Sequence, residues 1–371
     1  MRLTKTFKAF FESEKSGGLL LLSVTILSLL LANSPISTQY IAFWETNVGS
    51  HSITHWINDG LMAIFFLLIG LELEREMYHG ELSNIKNAAL PIFGALGGMV
   101  VPAGLFLLLN YGTITQNGAG IPMATDIAFA IGILSLLGNR VPTSLKVFLT
   151  ALAVIDDIGA IMVIAIFYTD TIAYTNLFIA FAIMGFLFIL NRRKVHNLIP
   201  YLIGGAGMWY FMLNSGVHAF GDGSNKTSSY KLQHFLHKPV AFFILPLFAI
   251  ANTGIAIGSD WHEGLNHPNT IGIILGLVVG KPLGIWLFSF LAVSLGICTL
   301  PRDLKWSTII GAGMLGGIGF TMSIFITLLA FKNDGEEVIT YSKIAILIAS
   351  FISGTLGYLW LNMNLKPAKE K

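Results

Sequence analysis

Residues 145–168, LKVFLTALAVIDDIGAIMVIAIFY, form an apolar run with two adjacent acids, Asp156 and Asp157, near its middle. About 20 helical residues at 1.5 Å each cross a bilayer, so the run is long enough to span one. An acid at that depth costs roughly 2.5–3.5 kcal/mol on insertion scales. Two acids also repel, so one holds a proton or both share a cation. Successive residues point about 100° apart around a helix, and the pair cannot both face one partner. A polar pair capping a helix end is the alternative, but apolar residues continue on both sides. An intramembrane acid marks an ion or proton pathway.

The rest of the chain excludes a large soluble core. Only 11% of its residues are charged, against about 25% in soluble domains. The net charge of +2 carries no implication of nucleic acid. Cys298 stands alone, which excludes a disulfide framework and a cysteine zinc site. A basic amino terminus (Arg2, Lys5, Lys8, Lys15) precedes an apolar stretch with no A-x-A cleavage pattern. We read that stretch as an uncleaved first helix.

Eleven apolar runs follow one another at 17–33, 57–73, 88–109, 119–138, 145–168, 174–191, 198–219, 239–258, 270–297, 307–331 and 342–363. The fold class is therefore an all-α polytopic membrane protein, with 1–371 as one transmembrane transporter domain. Segment 34–56 has no Lys or Arg, and its Tyr40, Phe43, Trp44 and Trp56 suit an interfacial belt or a short hairpin. Asp59, in WINDGLMAIFF, reads as a helix cap.

Lysine and arginine alternate between loops as the positive-inside rule requires, up to Arg192, Arg193 and Lys194. Amino and carboxyl termini both fall on the cytoplasmic side. The alternation then fails. After the run 198–219 the chain should be outside, yet 220–238 carries Lys226, Lys231 and Lys238. The intervening stretch is too short for two helical crossings, so one short crossing is missing or this loop is an exception. We expect 220–238 to be cytoplasmic and 198–219 to be re-entrant or poorly accommodated.

Two runs are interrupted. In the fourth, Gly118, Gly120 and Pro122 precede Thr125 and Asp126; in the tenth, Gly311, Gly313, Gly316, Gly317 and Gly319 precede Phe320 and Thr321. Within a membrane such breaks persist where they line a cavity, or where small residues let helices pack closely. ATDIAF at 124–129 and FTMSIF at 320–325 are a short internal echo. Interrupted segments at matching places in two halves point to a transporter binding site.

Four ionisable residues lie deep in spans: Asp126, Asp156, Asp157 and Lys281. Snorkelling to an interface is the alternative for Lys281, but both ends of its span are far away. A Lys paired with one acid leaves another free for a cation. A small hard cation wants oxygen ligands, which Asp156, Asp157, the Thr125 hydroxyl and carbonyls at a helix break could supply. Cation and protons then compete, and a site open to one side at a time turns competition into exchange. Asp126 and Lys281 would also offset the charges of the broken helix ends. At the cytoplasmic side, Glu72, Glu74, Arg75, Glu76 and His79 share a face of the membrane with His234 and His237. This is an ordinary solvated helix end or a proton-sensing rim.

At ATDIAFAIG, ALAVIDDIGAI, GKPLGIW, GIGFTMSIF, WINDGLMAIFFLLIGLELERE, PIFGALGGM and SGVHA the chain resembles the bacterial sodium/proton antiporter family NhaA. The resemblance covers nearly the whole chain. It implies a twelve-span inverted-repeat bundle with crossing interrupted helices. It also implies electrogenic, pH-regulated exchange of Na+ or Li+ for protons across the inner membrane by a multi-pass protein that is not an enzyme and needs no cofactor. By that resemblance Asp156 and Asp157 match the ion-binding acids. Thr125 and Asp126 match the unwound segment, with Thr321 in the matching break, and Lys281 matches the family's intramembrane lysine. Glu72, Arg75, Glu76, His234 and His237 match positions assigned to pH response.

The chain departs from the pattern in three places. SGVHAFGDGS passes straight to a polar loop where the family has a short eighth helix, the place where the loop charges call for another crossing. Gln233 stands where similar proteins often have Glu. Segment 34–56 is short beside the hairpin through which relatives form homodimers, which weakens that contact. The other functional readings are a sodium-coupled organic-anion symporter, a passive cation channel and a transport-defective relative. Three midplane Asp argue against the symporter, and no repeating ring of acids supports the channel.

Overall fold

A computed structural model of the chain describes residues 14–79, 85–167, 174–193, 200, 203–204, 229–256, 264–332 and 334–365. Helices dominate. α1 (Glu14–Ala32) stops ahead of Pro35, whose ring and missing N–H forbid continuation. α2 (Ser37–Glu45) then leaves at 115° to it. A two-stranded antiparallel hairpin follows, β1 (Asn47–Val48) with β2 (His51–Ser52), turning at Gly49 with φ +71°. Segment 34–56 is thus a short helix plus a short hairpin.

The chain enters the second span through Ile53–His55 and a widened turn, Trp56–Leu61, then runs on as α3 (Met62–His79). The cap here is Ser52, whose Oγ accepts the His55 N–H at 3.2 Å. Asp59 lies inside the widened turn and pairs with His55 Nε2 at 3.3 Å. The sequence reading of Asp59 as a cap is therefore corrected: the donors it would satisfy are already one turn behind it.

α4 (Ile85–Asn110) carries Pro91 and Pro102 in its interior. The fourth span is split into a tight 3₁₀ stretch, Gln116–Met123, an extended link at 124–126, and α5 (Ile127–Leu136). α6 (Thr143–Phe167) is continuous, and α7 (Tyr174–Arg192) follows. α8 (Ser229–Pro239) passes through a widened turn, Val240–Ile244, into α9 (Leu245–Asn252). The ninth span is α10 (Pro268–Leu275), a widened turn at Gly276–Gly280 and α11 (Lys281–Ser294). The tenth is α12 (Trp306–Gly316) and α13 (Phe320–Ala330), bent by 49° at Gly317–Gly319, and α14 (Glu336–Asn364) closes the bundle.

Among the described residues seven helices are long and apolar enough to cross a bilayer, or nine counting each bent pair as one span. The run 198–219 and the loop through Lys226 lie outside the described residues, apart from three positions. The bundle is therefore an all-α polytopic membrane protein.

Close backbone packing sets where the broken spans sit. α4 and α11 meet at Gly97 and Gly284, where a methyl group on either would enter the other's carbonyl. The widened turn before Lys281 rests on the break in the fourth span, with Gly276 against Pro122, and on α4, with Gly280 against Pro102. Such one-residue widenings shift the register of the next helical turn; here that turn begins at Lys281 and sets its direction.

Candidate functional site

The two breaks touch and are tied by hydrogen bonds to main-chain carbonyls. The Asp126 N–H donates to the Ile318 carbonyl at 2.6 Å, and Ser323 Oγ donates to the Ile121 carbonyl at 2.7 Å. The segments of the internal echo, 124–129 and 320–325, are thereby brought into contact. Unwinding frees N–H and carbonyl groups that would be unsatisfied in hydrocarbon, and the site is built from what satisfies them.

Asp126 serves two helix starts. Its Oδ1 accepts the Phe129 N–H of α5 at 3.1 Å. Its Oδ2 accepts the Thr321 N–H of α13 at 3.1 Å and also the Thr321 hydroxyl. A carboxylate at two positive amino ends is favourably placed. Lys281, wholly buried, donates to the Met123 carbonyl, where the 3₁₀ stretch ends.

Asp156 lies one helix away on α6. Its Oδ2 is 2.7 Å from Lys281 Nζ and 2.7 Å from Thr125 Oγ1. The same Thr125 oxygen is 2.8 Å from the Gly316 carbonyl, at the end of α12. A hydroxyl has one proton, so Thr125 donates to one of the two at a time. Asp157 is the next position on α6, about 100° further around the helix. Among the described residues neither of its carboxyl oxygens has a hydrogen-bond partner, nor does Asp156 Oδ1, and all three are buried. Asp157 lies in the field of Asp156, Asp126 and Glu72, with Lys281 as the opposing charge. With one ammonium among them, these carboxyl groups cannot all be ionised without leaving unpaired charge in a buried site, where each unpaired ion costs several kcal/mol.

The structure thus brings Thr125, Asp126, Asp156, Asp157, Lys281 and Thr321 into one cluster, all with under 3% exposure. Glu72, half-buried on α3, is within electrostatic reach of Asp157. α8 packs against α3, which places exposed His237 and buried Gln233 on the helix beside Glu72. The side chains of Arg75, Glu76 and His234 lie outside the described residues.

Sequence reasoning did not identify the Met123 and Gly316 carbonyls, or Ser350 of α14, whose Oγ accepts the Phe320 N–H at 3.2 Å. Backbone acceptors leave no trace in residue type. A serine in an apolar helix carries no signal of which neighbouring helix it caps.

Comparison with known proteins places this cluster in context. The profile of the family described as Na+/H+ antiporter 1 matches residues 8–361. The chain is 72% identical to "Na(+)/H(+) antiporter NhaA 1" of Flavobacterium johnsoniae, with both chains covered completely. That alignment runs 382 positions against 371 residues here, so the relative carries residues this chain lacks. Identity is 65% to "Na(+)/H(+) antiporter NhaA" of Flavobacterium psychrophilum, over 99% of this chain and 98% of that one. It is 45% to the protein of the same name from Vibrio campbellii, over 100% and 98%.

Proposed function

Because the chain belongs to the Na+/H+ antiporter 1 family, we propose that Asp156 and Asp157 are the shared site at which Na+ or Li+ and protons compete. The observation that carries this reading is the set of three buried carboxyl oxygens without hydrogen-bond partners among the described residues, beside the two helix breaks. Carboxylate oxygens are what a hard alkali ion needs, and they are also proton acceptors. Asp156 holds Lys281 at 2.7 Å. An arriving cation displaces Lys281 and any bound proton. When the opening of the site moves to the other face, protons return and the cation leaves.

The remaining parts support the two acids. Asp126 and Thr321 hold the crossed breaks together, Thr125 and Lys281 hold Asp156, and Glu72 links the site to the rim. Glu72, Arg75, Glu76, His234 and His237 make exchange pH-dependent, since clustered carboxylates and histidines titrate near neutral pH. The protein works in the inner membrane with both termini cytoplasmic, as the loop charges favour.

Proton flux in everted vesicles tests the exchange itself. Na+ or Li+ added to vesicles with a preformed proton gradient should dissipate it, to an extent that grows from acidic to alkaline pH. Absence of any response at every pH would favour the transport-defective reading. Topology has its own test. With Cys298 replaced by Ser, a cysteine at Ser224 should react with an impermeant thiol reagent in everted vesicles and not in intact cells. Labelling from the outer side alone would refute the cytoplasmic placement of 220–238.

A further inference from the structure

The amino end of α13 has no cap of its own. Its N-cap position is Gly319, which makes no side-chain cap bond, and a helix start leaves four N–H groups needing partners. Two of these are met from other elements. The Thr321 N–H reaches Asp126 across the crossing, and the Phe320 N–H reaches Ser350 Oγ of α14. Phe320 is 2% exposed and Ser350 9%, so solvent is a poor substitute for this bond. A second serine on α14, Ser353, lies three residues on and therefore on the same face. It is buried beside Gly317, and its Oγ has no hydrogen-bond partner among the described residues.

We propose that Ser350 is a positioning residue for the exchange. By accepting the Phe320 N–H it holds the start of α13 at the angle that brings Thr321 onto Asp126. Asp126 is covalently joined to Thr125, and Thr125 touches Asp156. Ser350 itself meets neither cation nor proton. Without its oxygen, the Phe320 N–H is left bare in a dry interior. The end of α13 then turns to find another acceptor, and the Thr321–Asp126 clasp loosens. This inference rests on the reading of Asp156 and Asp157 as the exchange site. It adds α14, a helix that contributes no charged group to that site, as the element that sets its geometry.

The test compares wild type, Ser350→Ala and Ser353→Ala in everted vesicles, with proton flux measured against Na+ concentration and the amount of protein in the membrane measured in parallel. Alanine is the better helix former, so both variants should assemble. Ser350→Ala should raise the apparent KM for Na+ about fivefold or more, with the maximal rate within about twofold, as loss of one buried hydrogen bond implies. Ser353→Ala removes the same atom from the same face and should leave KM within about twofold. An unmoved KM in Ser350→Ala overturns the proposal. So does an equal shift in Ser353→Ala, which would make the effect one of lost volume. A wild type without Na+-driven flux refutes the exchange reading itself, whereas a responsive wild type with an unmoved Ser350→Ala KM refutes only the role of Ser350.

Discussion

Asp157→Asn should abolish Na+-driven proton flux while leaving the protein folded. The two side chains have nearly the same shape, and Asp157 accepts no hydrogen bond among the described residues, so the substitution breaks no hydrogen bond there. What it removes is the ability to carry a charge that burial and the neighbouring Asp156, Asp126 and Glu72 already disfavour. The melting temperature in detergent should therefore stay the same or rise. Transport should fall by about a hundredfold or more, because losing one charged ligand from a buried ionic contact costs about 2–5 kcal/mol. Retained flux in this variant would remove Asp157 from the exchange site. Asp126→Asn makes the contrast. Asp126 Oδ2 accepts both the N–H and the hydroxyl of Thr321, and its Oδ1 accepts the Phe129 N–H. An amide NH₂ group must replace one of these acceptors and point a donor at donors. Asp126→Asn should therefore lower the melting temperature as well as the flux, a signature that separates the acid clasping the breaks from the acid proposed to bind the cation.

Gly284→Ala should be among the most damaging small changes in the chain. A methyl carbon there would sit 2.7 Å from the carbonyl carbon of Gly97 and 2.9 Å from Val101 Cβ. Gly97→Ala meets the same obstacle from the other side, 2.7 Å from the carbonyl carbon of Gly284. The obstacle is backbone, which no rotamer change can relieve, so α4 and α11 must move apart. Overpacking of this kind costs about 1–3 kcal/mol and sometimes more. Lys281 is three residues before Gly284, about 4.5 Å along the helix, so the separation also disturbs its 2.7 Å contact with Asp156. We expect a lower melting temperature, less protein in the membrane and reduced flux per molecule. Gly104, on the same α4, would have nothing within 4 Å of an added methyl group. Gly104→Ala should be neutral or stabilise by up to about 1 kcal/mol through helix propensity. Equal behaviour of Gly104→Ala and Gly284→Ala in thermal unfolding would show that the backbone contact is not what limits α4.

Residue type alone cannot tell Gly104 from Gly284, and the same divide runs through the whole molecule. Apolar run length is a one-dimensional property, so the spans at 88–109, 145–168 and 342–363 are legible from the chain alone, as is the presence of breaks after Pro122 and within 311–319. The cost of an unpaired charge in hydrocarbon rises with depth, and depth follows from position within a span. That is why Asp126, Asp156, Asp157 and Lys281 stand out in the sequence. Partner choice is a different matter, since it depends on which helices touch and on rotation about each axis. Only the folded chain decides that Asp156 takes Lys281 and Thr125, that Asp157 takes none, and that Asp126 caps two helices at once. The Met123 and Gly316 carbonyls belong to every residue type alike, and the cap on α13 comes from Ser350 thirty residues away. Packing between distant segments placed those groups, and local chemistry contains no record of it.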